Sequence, residues 1–191
     1  MRNKTTVIYL TGKPGVGKYT IAKELARNHG FIVCDNQLIN NPIFELLSYD
    51  GFAKIPDFAW EAIGNIRRCI LTFLTKENHN SYVLTNNLYE DSGDKVCYAE
   101  VVYMAETRGS LFVPVRLLIN QDEYLKRVTN PNRRERWKSI DPQDAYDETP
   151  LLSITHPNFL ELDVSDLSPE SAAETILNHI KRLPEVVDEQ K

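Results

Sequence analysis

Residues 12–20 read Gly12, Lys13, Pro14, Gly15, Val16, Gly17, Lys18, Tyr19 and Thr20. Glycines at this density let a backbone curl round an anion without Cβ clashes. Successive N–H groups of such a turn point inward, and a following helix adds the positive end of its dipole. Lys18 supplies a mobile point charge for the outer phosphates of a nucleotide, and Thr20 carries a hydroxyl within reach of a divalent cation. The flanks have the required form. Residues 6–11 are an apolar strand pattern, and Ile21, Ala22, Leu25 and Ala26 recur at helical spacing. A glycine-rich turn between a strand and a helix is a phosphate cradle.

Other groups could share this chemistry. Asp35 follows a second apolar strand, where it could orient magnesium-bound water or accept a proton from an attacking hydroxyl. It could equally close an Asx-turn or cap a helix. Asn86 and Asn87 follow a third strand and either bind a polar acceptor or make a turn. Glu90 and Asp91 come too late to stand at that strand's end and lead into a helix near Ser92, where acidic groups complement the dipole. Arg127 ends a helix and precedes the Pro/Asn break 129–132 and then Arg133, Arg134, Arg136 and Lys138. Mobile arginines grip phosphate oxygens bidentately and stabilise a transferring phosphoryl group. The cluster reads either as a closing lid or as a solvated basic surface. At most one of Arg67 and Arg68 can face a cleft if their helix buries Phe58, Ala62, Ile66 and Phe73 or their neighbours. His29, His79, His156 and His179 lack ligand spacing and read as structural.

The elements that must position these groups alternate between strand and helix patterns. Strands are expected at 6–11, 31–34, 82–85, 111–119 and 159–162, and helices at 19–28, 41–48, 57–77, 92–108, 121–128, 142–149 and 169–182. Ser168 and Pro169 form a good start signal for the last helix. Alternation of this kind implies a parallel sheet with helices on both faces, and such sheets bind ligands at the carboxyl ends of their strands.

The 191 residues suit one domain: 1–184 with an inserted lid near 129–141, then a flexible tail at 185–191. A net charge of −5 argues against a nucleic-acid-coating surface. No apolar run approaches the roughly 20 residues of a membrane helix, so no membrane partner is expected. The first strand begins too close to Met1 for a secretory signal. Cys34, Cys69 and Cys97 read as free thiols of a reducing, cytoplasmic compartment. Oligomeric state is not legible.

The stretch from Gly12 to Thr20 resembles the Gly-x-Pro-Gly-x-Gly-Lys-x-Thr signature of adenylate kinase and its relatives. Together with the strand–helix order, the chain resembles the P-loop kinase superfamily in its adenylate kinase and shikimate kinase-like branch. The resemblance implies an α/β, three-layer α/β/α fold with a five-stranded parallel sheet, the P-loop NTPase fold. It implies an ATP-dependent small-molecule kinase, with ATP and Mg2+ as cofactors, moving the γ-phosphoryl group to a hydroxyl or phosphate of an acceptor. Lys18 and Asp35 would be catalytic, with Arg133, Arg134 and Arg136 on the phosphates and Arg127 on the base. Tyr19 stands where the usual pattern has a magnesium-binding Ser or Thr. Magnesium would then be held by phosphate oxygens and water, with Asp35 in reach through water and Thr20 as the side-chain hydroxyl. Asp35 resembles the substrate-contacting Asp of shikimate kinase, but Thr85, Asn86 and Asn87 stand where that family has a triple glycine, so shikimate is not supported. A P-loop nucleotide hydrolase or regulatory protein, and a non-catalytic nucleotide-binding module, remain as alternatives.

Overall fold

The computed structural model describes residues 5–50, 53–130 and 142–184. Five strands form one parallel sheet: β1 (Thr6–Thr11), β2 (Ile32–Cys34), β3 (Tyr82–Thr85), β4 (Leu111–Leu118) and β5 (Leu160–Asp163), in the order β2-β3-β1-β4-β5. The helices are α1 (Lys18–His29), α2 (Asn36–Leu46), α3 (Asp57–Lys76), α4 (Ser92–Thr107), α5 (Gln121–Val128) and α6 (Pro169–Arg182). The architecture is the expected three-layer α/β/α arrangement.

Strand alternation explains the layers. Val7 and Tyr9 of β1 point to one face, where Leu71 and Leu74 of α3 and Val101 and Met104 of α4 cover them. Ile8 and Leu10 point to the other, against Ile21 and Leu25 of α1 and Ala172 and Ile176 of α6. Each fully buried aliphatic side chain of this kind contributes roughly 1.5–3 kcal/mol. From β1 the chain turns to β2 and β3 on one side, then crosses to β4 and β5 on the other. The carboxyl end of β1 is therefore the switch point at which such sheets open a crevice.

Three expectations need correction. Helix α2 starts at Asn36, well before 41, because the Asp35 carboxylate accepts a hydrogen bond from the Leu38 N–H and caps it. Pro42 lies inside that helix. Residues 142–149 do not form a full helix; only the 3-10 turn Pro142–Tyr146 forms, and residues 147–150 have no regular structure. In α3 the buried stripe is Ala59, Ile63, Leu71 and Leu74, whereas Phe58 and Phe73 are 70% and 61% exposed. The apolar face is set by what α2 and α4 offer it, and the two phenylalanines fall outside it.

Candidate active site

The turn between β1 and α1 wraps as a cradle at the switch point. Gly12 has φ +137°, and a Cβ there would stand 2.6 Å from the Leu117 carbonyl oxygen of β4, so only glycine fits. Gly17, at φ +113°, caps α1, whose first turn carries no acidic residue to compete with an anion. Val16 is fully buried and anchors the turn into the core. The Lys18 ammonium donates to the carbonyls of Gly12 (2.7 Å) and Lys13 (2.8 Å). The loop is thus already closed around its own lysine, a few ångströms from where phosphate oxygens would lie.

Two cations hold the loop from outside. Lys13 donates to the backbone carbonyl of Asp147, just past the 3-10 turn. The Asp147 carboxyl sits below the usual carboxylate range because Thr149 donates to it from side chain and backbone, with the Lys13 charge a smaller cause. Arg127 reaches from α5 to the Val16 carbonyl (3.1 Å) and to those of Val164 (3.0 Å) and Ser165 (3.4 Å). Its Nε donates to Glu123 at 2.8 Å, and that bond holds the Glu123 carboxyl below its ordinary value. Arg127 is a strap between the phosphate loop and the end of β5.

A cleft of about 660 Å³ opens over the loop and runs past both sides of it. Pro14, Gly15, Gly17, Lys18, Tyr19 and Thr20 form its middle. One half is bounded by Arg127, Asn130, Val164, Leu167 and Ser168. The other is bounded by Asn36, Gln37, Asn40 and Phe44 of α2, by Tyr49 and Ile55, by Trp60 of α3 and by Thr85 and Asn87 after β3. The lysine lies between the halves.

The remaining candidates divide. Asp35 is 4% exposed and does not line the cleft; the helix cap is the role its geometry shows. Burial pushes the neighbouring Cys34 thiol up to about 11, with the Asp35 charge a smaller cause. Asn86 makes the turn, accepting from the Asn87 N–H and donating to the Tyr9 hydroxyl, while Asn87 lines the cleft. Asp91 caps α4, and Glu90 pairs with Lys95 and accepts from the Ser153 N–H. Arg67 donates to the Cys97 sulfur and Arg68 to Asn65, and neither reaches the cleft. His156 packs edge-on against Phe112, and His179 bonds the Asn158 carbonyl oxygen. Arg133, Arg134, Arg136 and Lys138 lie outside the described residues.

Gln37, Asn40, Phe44, Tyr49 and Trp60 were not expected from sequence. The signal for three of them was present: 37, 40 and 44 share one face of a helix, but only if the helix begins at 36 and not at 41.

Magnesium fits this donor set in one manner. No carboxylate is among the described residues lining the cleft, and no group of three His, Cys, Asp or Glu side chains gathers among the described residues. A hard cation here would keep its waters and be carried by phosphate oxygens, with Thr20 as a nearby hydroxyl.

No protein-family profile matches the chain, and no curated protein matches it. Solved structures do. A gluconokinase from Sinorhizobium meliloti 1021 aligns with TM-score 0.63 at 13% identity, over 95% of this chain and 94% of that one. A sugar kinase from Janibacter sp. HTCC2649 aligns with TM-score 0.63 at 16% identity, over 93% and 95%. A shikimate kinase from Acinetobacter baumannii, solved with shikimate, aligns with TM-score 0.51 at 19% identity, over 94% and 96%. The fold is that of the small P-loop kinases.

Proposed function

We propose that the chain is an ATP-dependent small-molecule kinase. The observation that carries this reading is the two-ended cleft with Lys18 between its halves. A nucleotide hydrolase or switch needs room for one ligand and a water; a cleft with two walled halves flanking the phosphate loop suits a donor and an acceptor. The nucleotide would take the half beside Arg127 and the acceptor the half beside α2 and α3. That the similar structures are named as kinases of several different acceptors supports the reaction class and leaves the acceptor open.

In this reading the loop N–H groups and the α1 dipole bind the β- and γ-phosphates. Lys18 exchanges its loop carbonyls for phosphate oxygens and follows charge as it moves in the transition state. Bound magnesium would neutralise the triphosphate, held by its oxygens and water, with Thr20 beside it. Arg127 holds the wall against which the base would lie. Arg133, Arg134 and Arg136 are assigned by sequence to the transferring phosphoryl group.

The test is thermal denaturation with Mg·ATP followed by phosphoryl transfer. A ligand at 100 times its dissociation constant adds about 2.7 kcal/mol of stability. Lys18→Ala should remove most of this shift, and it should also lower the unliganded melting temperature, because the Gly12 and Lys13 carbonyls lose their donor. ATP consumption should rise on adding an acceptor. Acceptor-independent turnover at full rate would favour the hydrolase reading instead, and no shift with any nucleoside triphosphate would end both.

A further inference from the structure

The half of the cleft away from Arg127 has a chemistry of its own. Among its described residues the polar groups are carboxamides, the hydroxyls of Tyr49 and Thr85 and the indole N–H of Trp60, and none carries a charge; the cations of the cleft, Lys18 and Arg127, both stand against the phosphate loop. Its apolar wall is aromatic. Phe44 packs on Tyr49 with centroids 4.9 Å apart and meets Trp60 edge-on at 6.1 Å. Trp60 remains 47% exposed.

Two of the carboxamides are out of keeping with a finished interior. Gln37 and Asn40 are 8% and 6% exposed, one turn apart on α2. Gln37 Oε1 and Asn40 Oδ1 are both buried without a hydrogen-bond partner. Buried polar atoms are nearly always paired, so an unpaired couple lining a cleft points to a ligand that completes them. A terminal amide offers a donor and an acceptor side by side. It therefore matches groups that do the same: lactams, imides and the edges of nucleobases. An anion placed here would lose its water with no described cation to replace it.

We infer, building on the kinase reading, that the acceptor is an uncharged alcohol bearing a flat ring with an amide-like edge, a neutral nucleoside being the simplest instance. The ring lies against Phe44, Tyr49 and Trp60, its edge is read by Gln37 and Asn40, and its hydroxyl faces the phosphate loop. In the reaction the hydroxyl oxygen forms the new bond to the γ-phosphorus. The bond from that phosphorus to the β,γ-bridging oxygen breaks, ADP leaves with the electron pair, and the hydroxyl proton passes to water.

Calorimetry of the full chain with a non-hydrolysable ATP analogue and magnesium tests this without requiring turnover. Uridine, thymidine and inosine are the ring-alcohol probes; shikimate, gluconate and AMP are the anionic ones; glucose is a neutral alcohol without a flat ring. At least one ring alcohol should bind, and the anions and glucose should not. Gln37→Glu and Asn40→Asp, close in shape, should each weaken that binding roughly tenfold or more. The thermal shift with the ATP analogue should persist in both variants and certify their fold. Binding of an anion or glucose in place of the ring alcohols, or silence from all three ring alcohols while the ATP analogue still binds, overturns the inference and leaves the kinase reading standing. Failure of the ATP analogue itself strikes the kinase reading and with it the acceptor role, which overturns the inference even if a ring alcohol binds.

Discussion

Replacing Arg127 separates two roles for the same side chain. The resemblance to adenylate kinase places an arginine here on the base; the geometry makes it a strap from α5 to the carbonyls of Val16, Val164 and Ser165. Charge-assisted hydrogen bonds are worth about 1.5–3 kcal/mol each when buried. The Arg127 side chain is 26% exposed, so water can take over some of the freed carbonyls, and the Glu123 pair is a partly exposed i,i+4 contact worth a few tenths of a kcal/mol. Arg127→Ala should therefore cost about 2 kcal/mol in the protein without nucleotide. For a chain of this size that lowers the melting temperature by roughly 4–8 °C.

The strap also predicts how affinity falls. Loosening the Val16 carbonyl disorders the whole cradle, so ATP, GTP and inorganic triphosphate should weaken together in calorimetry. A base-stacking arginine predicts the opposite: ATP weakens, triphosphate does not, and the unliganded protein melts as before. Arg127→Lys keeps the charge but has no fork to span three carbonyls, so it should recover less than half of the stability. An unliganded melting temperature for Arg127→Ala within about 1 °C of wild type would refute the strap, since the expected drop of roughly 4–8 °C lies well outside that window.

Further substitutions probe other links. Asp35→Asn keeps a good N-cap for α2 and should cost little stability, whereas Asp35→Ala should cost about 1 kcal/mol in denaturant titration; if Asn also lowers phosphoryl transfer with the fold intact, the carboxylate serves the metal through water. Gly12→Ala should cost about 2 kcal/mol or more, because its Cβ would meet the Leu117 carbonyl at 2.6 Å with φ at +137°, and should abolish the nucleotide-induced shift. His156 is held below its ordinary pKa by burial, so its neutral form is the folded one. Its contribution is full above the unfolded value near 6.5 and is lost as pH falls from there towards the folded value. Denaturant titrations should show stability declining from pH 7 to pH 5.5, with a shallower decline in His156→Gln.

The sequence was most legible where backbone chemistry is local. The cradle from Gly12 to Lys18, the five strands and the Ser168–Pro169 helix start all follow from glycine freedom, strand alternation and capping, which act over a few residues. The half of the cleft beside α2 and α3 was not legible, because it is assembled from α2, Tyr49, Trp60 and the end of β3, which only tertiary packing brings together. The expected helix start at 41 hid it further, whereas the Asp35 cap and the packing of Ile39 and Phe44 on α3 carry the helix back to Asn36. The burial of α3 was legible only as a choice between adjacent stripes, because which of the two faces inward depends on the partner helix.

The two halves of the cleft differ in how they would generate selectivity. The phosphate loop is held before any ligand arrives. Lys18 is satisfied by Gly12 and Lys13 carbonyls, Lys13 ties the loop to Asp147, and Arg127 ties it to the end of β5. Little ordering then remains to oppose phosphate binding, and the grip falls on groups that every nucleoside triphosphate shares. The half beside α2 and α3 is the reverse. Its amide oxygens at Gln37 and Asn40 are left unpaired, which costs the empty protein stability and rewards only a ligand with the matching edge. A pocket built to hydrogen-bond a given group rejects analogues lacking it far more sharply than an apolar pocket rejects a change in size. Discrimination should therefore reside in α2, and exchanging residues 37 and 40 should change which alcohol is used before it changes how ATP is bound.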